Sequence, residues 1–207
     1  MRMTAAALDE FRLAALRRRA IRLEYFTVGW MIVEAAVALV TGLTASSIAL
    51  VGFGLDSIME TISGLALLWR FKQRRLEQHD AESRAVKVVG ITFLVVAAYV
   101  GYVAIRDLLF HRAPEFSLYG MVLAAVSLGV MPGLGVAKRR LAASLNSPAL
   151  AADSLETLAC AYLSAALLVG LGLNAWVGWW WADPVAALVM SAFMTREGVE
   201  IFRETQP

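Results

Sequence analysis

The sequence predicts an all-α polytopic membrane protein with six transmembrane helices and both termini in the cytoplasm. Three observations carry that prediction. Of 207 residues, 59% are hydrophobic and the mean hydropathy is +0.65, more apolar surface than a soluble domain of this length carries. Six runs are long enough and apolar enough to cross a bilayer, which takes about 20 residues. Lys and Arg also concentrate in alternate connections.

Residues 1–22 form a basic arm. Its stretch Phe11-Arg-Leu-Ala-Ala-Leu-Arg-Arg-Arg-Ala-Ile-Arg reads as an amphipathic helix. The arm either lies on an anionic inner leaflet or serves only as a topology determinant. Residues 23–207 form a six-helix transmembrane domain, with spans near 23–44, 46–69, 86–109, 116–137, 149–172 and 176–195. Span one carries Glu34, span two Asp56 and Glu60, and span five Asp153, Glu156 and Cys160. Spans three and four are nearly free of charge. Span six carries Asp183-Pro184, and Pro is tolerated in a first helical turn.

Six Lys/Arg lie in the N-terminal arm, six between spans two and three, three (Lys138, Arg139, Arg140) between spans four and five, and two in the tail, seventeen of the nineteen in all. Only Arg106 and Arg112 fall on the other side, so the positive-inside rule puts both termini in the cytoplasm. Trp176, Trp179, Trp180 and Trp181 on the opposite side suit an interfacial aromatic belt. A bacterial inner membrane is the expected location. No cleavable signal is expected, because Asp9, Glu10 and an Arg cluster precede a first apolar run that is a full span. A single Cys excludes an internal disulfide. Glycine-rich phosphate loops, Cys-x-x-Cys motifs, Ser/His/Asp sets and basic-aromatic nucleic-acid surfaces are all absent from the sequence, so neither an enzyme nor a nucleic-acid binder is expected.

Spans two and five look like copies of each other. Shifted by 100 residues without gaps, Ser47 meets Ser147, Asp56 meets Glu156, and Glu60 meets Cys160. Under the topology above these spans cross in opposite directions, as in an inverted-repeat transporter with a site at the midplane. Asp56 and Glu60 share one helix face, as do Glu156 and Cys160, and Asp153 lies one turn before Glu156. A carboxylate at that depth costs several kcal/mol and needs a partner, a proton or an ion. No Lys or Arg falls in the middle of any predicted span, so no salt-bridge partner is expected. Two facing helices, each with such a pair, can surround one ion. Oxygen and sulfur ligands in tetrahedral array suit Zn²⁺ or Cd²⁺, with Fe²⁺, Mn²⁺ and Co²⁺ left open.

Ser47-Ile-Ala-Leu-Val-Gly-Phe-Gly-Leu-Asp56-Ser-Ile-Met-Glu60 resembles the second helix of the cation diffusion facilitators, the cation efflux family. Ala152-Asp153-Ser-Leu-Glu156-Thr-Leu-Ala-Cys160 is similar to that family's fifth helix, Ala-Asp-x-x-His-x-x-x-Asp. Trp181-Ala-Asp183-Pro184 through Glu204-Thr205 resembles its sixth helix and exit, and Met131-Pro132 to Arg140 the end of its fourth. The resemblance implies a homodimeric efflux transporter exchanging a divalent metal for protons. It places metal ligands at Asp56, Glu60, Asp153, Glu156 and Cys160, and no permanently bound cofactor. Glu156 stands on the usual His and Cys160 on the usual Asp, so zinc preference is not implied. The chain stops just after helix six, where the family's usual cytosolic metal-binding domain would follow, and dimerisation through that domain is not expected.

Three further readings stay open. Glu34 faces the same cavity as a proton carrier or outer ligand, or is structural. Glu77, His79 and Asp80 bind a second metal or form a solvated loop. Gly129-x-x-x-Gly133 permits close helix packing. The alternative to transport is a membrane sensor or assembly protein whose buried acids only fix helix packing.

Overall fold

A computed structural model of the chain contains α1 (Ala5–Thr44), α2 (Ile48–Lys72), α3 (His79–Leu109), α4 (Leu118–Leu145), α5 (Pro148–Val177) and α6 (Ala182–Glu204). It describes the backbone of residues 5–72 and 79–204 and the side chains of 11–69, 91–147, 149–200 and 203. Glu77 lies outside the described residues, as do the side chains of His79 and Asp80, so the second-metal reading falls outside them too. All the described secondary structure is helical.

Five helices are long and apolar enough to cross a membrane: Phe11–Thr44, Ile48–Trp69, Ile91–Leu109, Leu118–Leu145 and Ala149–Val177. The sixth differs from expectation. The Trp-rich stretch at 176–181 ends α5 and turns, so α6 begins at Ala182 rather than at 176. It carries Asp183 in its first turn and Arg203 in its last, which lowers its apolar content. At 23 residues it still reaches about 34 Å at 1.5 Å per residue. At the other end of the chain, α1 runs unbroken through position 22, so the basic arm and span one are one helix of 40 residues.

The largest helix–helix interfaces join α4 with α5, α1 with α2, and α3 with α6. One core ties them together, including Met31 of α1, Phe53 of α2, Val100 of α3, Met131 of α4, Leu163 of α5 and Met190 of α6. Val40, Val95, Tyr102, Tyr162 and Val169 are exposed, so apolar side chains cover the outside as well as the inside, as lipid contact requires. Within one chain nothing packs on the Gly129–Gly133 pair: a Cβ at either would meet nothing within 4 Å. Close approach occurs at Gly64, where it would stand 2.7 Å from Glu24 Oε1 and from Val28 Cγ2, and at Gly135, 2.6 Å from Leu158 Cγ.

Three connections meet at one end of the bundle. Glu115 N–H donates to Ala45 O at 2.8 Å, and Asn174 Nδ2 donates to Pro114 O at 3.1 Å. His111 and Trp180 lie with ring centroids 4.5 Å apart. The turns before α2 and α5 are also twins, 100 residues apart as in the sequence shift. Ser46 and Asn146 both take left-handed backbone, at φ 53 and φ 48. Ser47 and Ser147 then cap their helices identically: Leu50 N–H donates to Ser47 Oγ at 3.1 Å, and Leu150 N–H to Ser147 Oγ at 3.4 Å. Ser47 has an additional partner, donating its hydroxyl to the Asp183 carboxylate of α6. That carboxylate also accepts from Ala49 N–H at 3.3 Å, so a side chain of α6 completes the cap of α2.

Candidate metal centre

The capping turns set the register of the two helices that carry the acids. From the cap of α2, roughly two and a half turns lead to Asp56 and one more to Glu60 on the same face. The same distance from the cap of α5 leads to Glu156 and Cys160. Asp56, Glu60 and Cys160 meet: each offers a ligand atom, and these atoms lie within 4.8 Å of one another. Asp56 is 2% exposed and Cys160 fully buried. Asp56 Oδ2 is buried with no hydrogen-bond partner, a costly state for a carboxylate oxygen unless a cation or proton meets it. None of the described ion pairs involves Asp56, Glu60 or Glu34.

Glu34 lies behind this group, fully buried. Its carboxylate accepts from four side chains: Trp30 Nε1 at 3.1 Å, Ser57 Oγ at 2.8 Å, Cys160 Sγ at 3.6 Å and Ser127 Oγ. The donors come from α1, α2, α5 and α4, so one acid anchors four helices around the thiol.

Glu156 stands apart from the three-residue group. It is half-buried, and lies near Ser63 of α2 and near enough to Glu60 for an electrostatic interaction.

Asp153 has a different partner, against the expectation that no cation is within reach. Lys138 Nζ lies 2.7 Å from Asp153 Oδ2 and 2.9 Å from Glu24 Oε2, and donates to Thr157 Oγ1 at 3.2 Å. Lys138 and Glu24 are each 1% exposed. The expectation failed because α4 does not stop at 137. It continues to Leu145, and Lys138 falls on the inward face with Met131, Leu134 and Leu141. The helical spacing of those residues was the available signal, masked by the charge run Lys138-Arg139-Arg140. Glu24, Ser57 and Ser127 were not singled out from the sequence, because each needs its neighbouring helix in place to acquire a role.

Residues 26–206 match the model of the cation efflux transmembrane domain. The chain is 26% identical over 167 residues to the uncharacterized transporter sll1263 of Synechocystis, covering 77% of this chain and 54% of the relative. It is 27% identical over 133 residues to the cation-efflux pump FieF of Shewanella oneidensis, covering 64% and 43%. It is 24% identical over 187 residues to the cadmium, cobalt and zinc/H(+)-K(+) antiporter of Bacillus velezensis, covering 86% and 58%. The chain thus spans about half the length of these curated relatives. Members of this family are transporters rather than enzymes, and the helical bundle with its membrane-spanning helices is the family's architecture. This chain belongs to the cation efflux family.

Proposed function

We propose that the protein exports a divalent transition metal in exchange for protons, loading the ion between α2 and α5 at Asp56, Glu60 and Cys160. The observation that carries this reading is the convergence of three ligand atoms within 4.8 Å, from two helices, on a place where Asp56 Oδ2 has no partner. Two carboxylates and a thiolate form a negatively charged set with enough softness for Zn²⁺ or Cd²⁺. The Bacillus relative's name includes zinc, cadmium and a proton-coupled exchange, which supports the same cargo class here. A sulfur binds metal as thiolate, so the hydrogen that Cys160 directs at Glu34 must leave when the ion arrives. Metal and protons then compete for one set of atoms, and exchange follows from that competition. Glu156, one turn from Cys160, is the fourth ligand that a small approach of α5 toward α2 brings in. Asp153 is assigned to the Lys138 ion pair instead of to the ion.

Alternating access moves the site between the two membrane faces, with both termini cytoplasmic, in a bacterial inner membrane, and with the chain acting as a homodimer. Uptake of Zn²⁺ or Cd²⁺ into energised inverted vesicles tests the reading. Wild-type protein is expected to accumulate metal when a proton gradient is imposed, and Asp56→Ala to accumulate none while still inserting in the membrane. Normal uptake by Asp56→Ala would end the site assignment.

A further inference from the structure

At the arginine-rich end of the bundle, α1 and α4 diverge around a groove of about 830 Å³. Arg19 and Arg22 of α1 and Arg140 of α4 line it, over an apolar floor that includes Leu23, Phe26 and Leu141. All three arginines are exposed, and among the described residues none forms an ion pair with an acid. Three exposed guanidinium groups around one opening favour an anion, and their planar forks match phosphate oxygens in particular. The floor adds a second requirement. A free inorganic anion would leave Leu23, Phe26 and Leu141 wet, whereas a phosphate attached to acyl chains satisfies both walls at once.

We infer that this groove binds an anionic phospholipid, its phosphate on Arg19, Arg22 and Arg140 and its chains along Leu23 and Phe26. The inference goes beyond metal transport and rests only on α1 and α4 crossing a bilayer. It also has a structural effect. Leu23 precedes Glu24, and Ala137, another lining residue, precedes Lys138. A lipid seated here braces the two helices whose inward faces form the Glu24–Lys138 ion pair at 2.9 Å.

The test uses delipidated full chain in neutral detergent, with native mass spectrometry and thermal unfolding as separate readouts. Added phosphatidylglycerol is expected to remain bound and to raise the unfolding temperature. Arg19→Gln/Arg22→Gln/Arg140→Gln is expected to weaken that binding about tenfold or more. Arg12→Gln/Arg139→Gln/Arg203→Gln, which removes the same charge away from the groove, is expected to bind as wild type does. The single Arg140→Gln variant gives a smaller loss in the same direction and guards against misfolding of the triple variant. Four outcomes overturn the inference. They are an equal loss in the control triple, equal retention of phosphatidylcholine, equal stabilisation by inorganic phosphate, and crosslinking across the groove to a second copy in place of lipid. Neither readout depends on metal transport, so failure here leaves the proposed function untouched, and the reverse holds too.

Discussion

Two buried acid clusters lie about two turns apart along α5 and meet the cost of charge in opposite ways. In the cluster of Glu24, Lys138 and Asp153, the chain supplies its own cation, with Lys138 Nζ within 3 Å of both acids. In the cluster of Asp56, Glu60 and Cys160, no described ion pair takes part. A lysine is tethered and cannot leave, so the first cluster joins α1, α4 and α5 permanently. The second has no such cation among the described ion pairs, which is what the proposed exchange of ion for protons needs. Two acidic clusters that share α5 thus differ in whether the chain itself provides the counter-charge, and the proposed function assigns cargo handling to the one where it does not.

The largest effect should come from the cluster without a cation. Asp56→Ala should lower metal uptake in inverted vesicles by more than the roughly 10–100-fold that loss of a ligand's hydrogen-bond partner costs, with little change in helicity by circular dichroism. The counterpart substitution in the other cluster should act on stability. Lys138→Met leaves Glu24 and Asp153 buried and uncompensated, and should cost about 3–5 kcal/mol, read from unfolding in detergent. Removing all three charges, as Glu24→Gln/Lys138→Met/Asp153→Asn, should recover most of that loss. The same triple variant should keep metal affinity within about threefold, since separated clusters couple weakly. A well-folded triple variant that binds no metal would make Asp153 a ligand and collapse the distinction. Cys160→Ser should reduce the preference for Cd²⁺ over Mn²⁺ by roughly tenfold in competition binding, because the soft ligand is lost. A modest change is expected for Glu34→Gln, which keeps an acceptor oxygen for one of the two serines and removes the charge. It should weaken metal binding by about tenfold or less, and a complete loss would promote Glu34 to a ligand.

Much of this was legible in the chain because apolar runs and buried acids leave strong signals. The hundred-residue shift that aligned Asp56 with Glu156 and Glu60 with Cys160 reappears as two matching turns, down to the positive φ of Ser46 and Asn146. Less visible was everything that depends on how far a side chain reaches. Lys138 reads as a loop charge until α4 is seen to continue beneath it, and then its four-carbon stem brings the ammonium to Asp153. For Glu34 the sequence leaves a proton carrier, an outer ligand and a structural role open, because its four donors come from four helices scattered through the sequence. The boundary at 176 misled for a related reason. Tryptophan adds to the apolar content of a window but does not prevent the chain from turning at Gly178, which takes left-handed backbone at φ 72.

The cap that Asp183 places on α2 has a mechanical consequence. It pins the first turn of α2 to the first turn of α6, which itself lies along α3. A lever held at one end swings most at the other. Asp56 and Glu60 lie roughly 12–18 Å from that pivot at 1.5 Å per residue. A tilt of about 10° would therefore carry their carboxylates roughly 2–3 Å, about the length of a metal–ligand bond. Under the proposed function, releasing an ion from Asp56 and Glu60 would then take only a modest swing of one rod about a fixed joint, with no unwinding of α2.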